Sequence, residues 1–188
     1  MHSLIMSVRD LCNRLAQLQR DERGISAVEF ALLVPLMITL YLGTVEISQG
    51  ISADRKVTLT TRTVADLVTQ SASVNNAAMI NILDSAAKIL SPYPTGDLKV
   101  TVSAVTIAAD KKATIAWSDT RNGTAHTPGQ QVTLPSDALA VPNTTLIWSE
   151  VSYLYRPTIG YVITGSVNLS DQIYMRPRLS DTITRTVN

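Results

Sequence analysis

Cysteine is almost absent from this chain: Cys12 is the only one in 188 residues, so no intramolecular disulfide can staple the fold. Histidine is nearly as scarce, with only His2 and His126. The sequence has no His-x-x-x-His pair, no cysteine cluster and no phosphate-cradling glycine loop, so neither a metal nor another cofactor is expected. Charge of one sign is also missing. Sixteen Lys and Arg against fifteen Asp and Glu leave a net charge of +1, which excludes the basic field that a nucleic-acid partner requires. Asp119, Asp137 and Glu150 could in principle act as acid/base partners, but their spacing matches no catalytic constellation, and they read as solvated loop carboxylates. Ser149, Tyr153 and Tyr155 read as decoration of a strand face, and the chain is expected not to be an enzyme. Asn122, Asn143 and Asn168 each open a glycosylation sequon, a pattern expected by chance in a chain so rich in Thr and Asn.

What the sequence does have is one long uncharged run. From Ile25 to Val45 the only charge is Glu29, and about 21 helical residues at roughly 1.5 Å each reach about 31 Å, enough to cross a hydrocarbon core about 30 Å thick. A buried helix of a soluble domain is seldom so long and so apolar on every side. A cleaved secretory signal would have a short basic leader, an apolar core of about 7–15 residues and small residues at the cut. Here Arg9, Arg14, Arg20 and Arg23 mix with Asp10, Asp21 and Glu22, and Glu46–Gly50 offers no A-x-A site. Glu46 reads as a solvated interfacial carboxylate closing the span. Arg14, Arg20 and Arg23 before the span nearly balance Arg55, Lys56 and Arg62 after it. The strand-forming sequence lies C-terminal, so the leader is placed in the cytoplasm and the remainder outside.

The junction is more specific than its hydropathy. A polar leader ends at Gly24, and Arg23-Gly24-Ile25-Ser26-Ala27-Val28-Glu29-Phe30-Ala31-Leu32-Leu33-Val34-Pro35 sets Glu fifth after that Gly with an aromatic beside it. This resembles the type IV prepilin pattern, and in particular the TadE-like pseudopilins of the tight-adherence (Flp) pilus system, the TadE/TadF/TadG group. The resemblance covers about residues 20–50, with a weaker echo in Tyr174-Met175-Arg176-Pro177-Arg178-Leu179. It implies that a prepilin peptidase cuts between Gly24 and Ile25, and that the partners are that peptidase, other pilin or pseudopilin subunits, the pilus assembly platform and the inner membrane. It also implies that Glu29 meets a subunit's terminal amine during assembly.

The chemistry of the junction is compatible with that reading. Gly24 has no side chain to obstruct a close backbone approach and readily breaks helical continuity. Cleavage would create an α-amine on Ile25, a group that ordinarily titrates at about 7.7–8.0. An ionised Glu29 in hydrocarbon would cost on the order of 2.5–3.5 kcal/mol unless paired, and that amine offsets the cost; the bland alternative is a Glu29 that snorkels to the interface. Pro35 removes a backbone donor and is expected to kink the helix. Gly43 is the other irregularity of the span.

Beyond Gly50 the helix is expected to continue, with Ile51, Val57, Val64 and Val68 at helical or heptad spacing through a Thr-rich stretch that weakens it. Ser73–Asn76 marks a break, with Asn75 or Asn76 capping a second helix. In that helix Met79, Ile82, Leu83, Ala86, Ile89 and Leu90 share a face, and Asp84 can pair with Lys88. From Leu98 the period becomes two. Leu98, Val100, Val102 and Ala104 alternate, and Val105 and Ile107 follow one residue out of step, as a β-bulge allows. Ala109–Lys112 is a hairpin loop, with the return through Ala113, Ile115 and Trp117.

A loop fills about 118–143. Two more strands follow, one with Ile147, Val151, Tyr153 and Tyr155 on a face, the other with Val167, Leu169, Ile173 and Met175. Arg176 and Arg178 sit at a strand end, within reach of solvent, a partner or Asp181. The expected organisation is a leader at 1–24, a transmembrane helix at 25–48, a helical stalk and amphipathic helix at 49–91, an exported antiparallel domain at 98–178 and a polar tail at 179–188. The fold class is α+β, with a sheet of about four strands packed against a helix. Functionally this reads as a single-pass pseudopilin; the alternative is an uncleaved, signal-anchored exported protein with a surface-binding β domain.

Overall fold

The computed structural model describes residues 22–160 and 162–187. Most of the leader, including His2, Arg9, Cys12, Arg14 and Arg20, lies outside the described residues. The chain divides into two units, one ending at Val45 and one comprising Glu46–Asn188.

In the first unit the described residues belong to a helix, α1 (Glu22–Thr69), which continues into the second. Ile25, Val28, Phe30, Leu32, Leu33, Leu36, Met37, Ile38, Leu40 and Tyr41 are all exposed. An apolar surface on every side of a helix is unfavourable in water and requires lipid or other helices. The helix is long and apolar enough to cross a membrane and is a candidate span. Two of its hydroxyls are satisfied internally, as a lipid environment favours: Thr39 donates to the Pro35 carbonyl and Thr44 to the Leu40 carbonyl, both at 2.8 Å.

The second unit begins with the remainder of α1. Threonine disfavours helix, yet Thr60 and Thr61 are fully buried here, because each hydroxyl bonds a carbonyl one turn back, Lys56 at 2.8 Å and Val57 at 2.9 Å. Ala53, Val57, Val64 and Val68 form the inward stripe. Ile51, which spacing assigns to that stripe, is exposed, and Ala53 takes the inward position.

A short strand, β1 (Ser73–Asn75), precedes α2 (Asn76–Leu90). Asn75 caps α2 as expected, its side chain accepting the Ala78 N–H at 2.8 Å. Met79, Leu83, Ala86 and Leu90 are buried, with Ile82 packed beside them. Lys56 from α1 donates to the Ile89 carbonyl at 3.2 Å and to the Ser91 carbonyl, placing a cation at the negative end of α2. The expected Asp84–Lys88 pair is replaced by an ion pair between Asp84 and Arg121 of the sheet.

The sheet has five strands rather than four. They are β2 (Leu98–Ile107), β3 (Ala113–Arg121), β4 (Gln131–Val132), β5 (Thr144–Tyr155) and β6 (Val167–Met175), in the order β4-β3-β2-β5-β6. All the pairings are antiparallel. The additional strand, β4, lies inside the stretch expected as loop. So does a 3-10 turn, Asp137–Leu139.

The main core lies between α1, α2 and one sheet face, to which Leu98, Val100, Val102, Ala104, Ile147, Val151, Tyr153 and Tyr155 contribute. Each fully buried aliphatic side chain there is worth about 1.5–3 kcal/mol of transfer free energy. Val105, Ile107, Ala113, Ile115 and Leu146 form a second cluster. Strand alternation places it on the opposite face. Val105 and Ile107 are therefore out of step because they serve this other face, and β2 itself pairs with β5 without interruption.

The bulge is real but sits in β3. Ala104 pairs with Trp117 and Val105 with Ile115, so Ala116 is the extra residue. That residue turns Trp117 away from the face of Ala113 and Ile115 and into the main core, where its indole N–H donates to the Ile183 carbonyl at 2.8 Å.

The segment 179–188, expected as a polar tail, instead returns to the fold. Ile183 is buried in the main core, and β7 (Thr184–Thr186) pairs in parallel with β1.

Candidate functional site

The described part of α1 runs through the bond between Gly24 and Ile25. Gly24 thus does not interrupt the helix. A Cβ built there would meet nothing within 4 Å among the described residues. Glu29 is exposed one turn further along, at the i+4 position from Ile25. Among the described residues no ion pair to Glu29 occurs. Pro35 lies within the helix and denies a donor to the Ala31 carbonyl.

Glu46 differs most from its expected role. It is 1 % exposed rather than solvated, and its Oε2 accepts the backbone N–H of Val162 at 2.7 Å. Beside it, Tyr93 donates its hydroxyl to the Gln49 carbonyl at 3.0 Å and meets the Tyr155 ring edge-on at 6.0 Å. A Cβ at Gly50 would lie 3.7 Å from the Tyr155 ring and 3.9 Å from Ile163. The connection after β5 therefore closes on the helix turn that starts at Glu46.

On the outer sheet face, β5 presents Trp148 and Glu150. Trp148 is stacked between His126, at 4.7 Å between ring centroids, and Tyr174, at 5.4 Å. His126 Nε2 lies 2.6 Å from Glu150 Oε2, and the His126 backbone N–H donates to Ser118 Oγ at 3.0 Å. Burial, with Glu150 nearby as a lesser cause, pushes the Tyr174 hydroxyl up to about 12. An open polar groove runs past this row, lined by Lys99, Thr101, Glu150, Ser152, Asp171 and Gln172 among others. Sequence reasoning sets His126 aside as a loop residue and misses its pairing with Glu150. Only alternation along β5 hints that Trp148 and Glu150 share a face.

The three carboxylates considered as acid/base partners are not brought together. Asp119 stands opposite Val102 on the helix-bearing face, whereas Glu150 stands opposite Thr101 on the other. Asp137 opens the 3-10 turn. Asp119 instead holds Arg185, through Nε to Oδ2 at 2.7 Å and Nη2 to Oδ1 at 3.1 Å. The hydrogen bond to Asp119 holds the guanidinium pKa above its ordinary range. Arg178 pairs with Asp66 rather than with Asp181. No cluster of three or more His, Cys, Asp or Glu able to hold a metal occurs among the described residues.

Residues 24–66 match the family of TadE-like proteins. The chain carries a TadE-like segment. This segment opens at Gly24, the residue on which the resemblance turns, and extends beyond the 20–50 stretch read from sequence. It includes both the candidate span and the part of α1 that presents Ala53, Val57 and Val64 to the core. A TadE-like segment fits a pseudopilin associated with the Tad pilus, and the family's members are structural pilus proteins rather than enzymes. No curated protein and no solved structure matches the chain.

Proposed function

We propose that this protein is a pseudopilin, or minor pilin, acting in assembly of a tight-adherence pilus, and that a prepilin peptidase processes it between Gly24 and Ile25. The observation that carries this reading is the TadE-like match opening at Gly24, on a helix whose apolar residues are exposed on every side. Before processing, the span holds the subunit in the bacterial inner membrane, with the leader in the cytoplasm and the α+β unit outside. Cleavage leaves a cationic amine on Ile25.

Glu29 then serves assembly. Its carboxylate is costly in hydrocarbon until it meets a cation, and the Ile25 amine of a neighbouring subunit supplies one. A correctly placed neighbour is thereby favoured over a misplaced one, and removal from lipid is eased. The partners are other pilin or pseudopilin subunits and the assembly platform. The protein's action is mechanical, not catalytic.

The test is N-terminal sequencing of the membrane-extracted protein from cells with and without active peptidase. A mature chain beginning at Ile25 only when the peptidase is present supports the assignment, and Glu29→Gln should then impair pilus assembly while leaving cleavage intact. Persistence of the leader in both strains would instead indicate an uncleaved, signal-anchored exported protein.

A further inference from the structure

The second unit has nine exposed large hydrophobic residues among those described, and they are not spread evenly. Ile47 and Ile51 stand on the first turns of α1 in this unit, 48 % and 51 % exposed. Ile159 and Val162 stand in the segments that follow β5, 44 % and 48 % exposed. Val167, also exposed, opens β6 opposite Tyr155.

Contacts within the unit draw Val162 to the level of Ile47, and Thr158, next to Ile159, lines one recess with Gln49, Tyr93 and Tyr155. The Val162 N–H is bonded to Glu46 at 2.7 Å, Ile163 and Tyr155 lie against Gly50, and Tyr93 is bonded to Gln49. Glu46 is the residue that directly follows the apolar run Ile25–Val45, whose one charge is Glu29.

That level can be placed on the bilayer's own scale. With the run filling the hydrocarbon core, residues 46–50 rise only about 6 Å beyond it. The polar layer of one leaflet is about 5–7 Å thick. Whatever is bonded to Glu46 and packed on Gly50 therefore lies in the headgroup layer. The chemistry there suits it: apolar side chains face outward, and Arg156, with its side chain 67 % exposed, offers a cation to lipid phosphate beside its 3.3 Å contact with Asp97.

We propose that Ile47, Ile51, Ile159 and Val162 form a lipid-contacting collar, seated in the outer headgroup layer, that holds the exported unit against the bilayer. The proposal rests on the reading of Ile25–Val45 as a membrane span. It commits to lipid as the occupant because Ile47 and Ile51 stand on the turns of α1 that directly follow the run Ile25–Val45, within a few residues of where that run would leave the hydrocarbon core. The collar adds to what must be broken when the subunit leaves the membrane.

The test uses the full chain with Cys12→Ser, reconstituted in phosphatidylethanolamine/phosphatidylglycerol vesicles. An environment-sensitive fluorophore is attached at Ile159→Cys, at Val162→Cys, at Met37→Cys within the span, and at Thr133→Cys as an exposed position away from the collar. Expected are blue-shifted emission at 159 and 162 and strong quenching there by a lipid with its quencher near the headgroup, with 133 unshifted and 37 quenched best by a chain-end quencher. If 37 responds while 159 and 162 behave like 133, the collar is wrong and the span survives. A blue shift at 159 and 162 that neither lipid quenches means that protein covers them, which also overturns the proposal. Failure of 37 to respond to either quencher removes the span itself, and the collar with it.

Discussion

The carboxylate of Glu46 and the backbone N–H of Val162 are joined at 2.7 Å across 116 positions of sequence. A strand connection is thereby fastened to the first helical turn of the second unit. The acid is enclosed at this contact, with the Tyr155 ring close by, so its removal leaves a part-buried amide without its partner.

Glu46→Ala is expected to lower the stability of the detergent-solubilised chain by about 0.5–1.5 kcal/mol, the net contribution of one hydrogen bond. Glu46→Gln keeps an acceptor of similar reach and should lose less. Thermal unfolding ranks the three proteins, and hydrogen exchange at the Val162 amide localises the effect. Exchange there unchanged in the alanine variant would show that the contact does not hold the connection.

Arg185 ties β7 to three other places at once. Besides Asp119 it donates to Asn76 Oδ1 at 2.6 Å and to the Val74 carbonyl at 3.3 Å. Because Asp119 would be left without its cation in a half-buried site, Arg185→Ala is expected to destabilise by about 2–3 kcal/mol, the scale of charge-assisted hydrogen bonds. Arg185→Lys should recover little, since an ammonium cannot reproduce the two-pronged contact. Limited proteolysis of the C-terminal residues should accelerate in both variants, and protection equal to wild type would argue that β7 is held by Ile183 alone.

Deleting Ala116 should be far more damaging than replacing it. Ala116 is exposed and contributes only its length to the strand, so Ala116→Ser is expected to be neutral within about 0.5 kcal/mol. Its deletion returns β3 to simple alternation, which moves Trp117 to the outer face or shifts the strand by one residue. Trp117 is half-buried, so its loss from the core is expected to cost up to about 3 kcal/mol, the low end of the range for a buried aromatic. The indole fluorescence of a Trp148→Phe background reports it: emission from Trp117 should move to the red on deletion and stay put on substitution.

Alkaline pH should weaken the fold through Tyr174. Its hydroxyl titrates near 12 in the folded chain, against an ordinary 10, so the fold favours the protonated phenol. That contribution is complete below about pH 10 and is lost as the pH climbs toward about 12. Tyr153 and Tyr155 are shifted in the same direction, chiefly by burial, so some decline remains when Tyr174 is removed. Tyr174→Phe is expected to show a shallower fall in unfolding midpoint over this range than wild type. Parallel curves would mean that Tyr174 is no more protected than a free phenol.

Much of this architecture was legible because it depends on local period. The span follows from an uncharged run, Asn75 from its position before a helical stripe, and the inward residues of β5 from strict alternation. The misses have a common physical origin. β4 is two residues long, too short for any period, and exists only because β3 offers it a partner. Ile51 lies on the helical pattern, but the pattern does not say where the sheet begins to cover the helix.

The sequence by itself determined that one helix would be long and apolar enough to cross a membrane, that Gly24, Ile25 and Glu29 would lie close together along it, and that an α+β unit would follow. Hydropathy and spacing are properties of neighbours along the chain, and no distant residue was needed to read them. Tertiary structure alone decided that Glu46 is buried, that His126 meets Glu150 across 24 residues, and that the last residues close the fold through Ile183 and Arg185. Each of these joins groups far apart in sequence, and whether a charge is solvated or enclosed depends on which distant backbone arrives beside it.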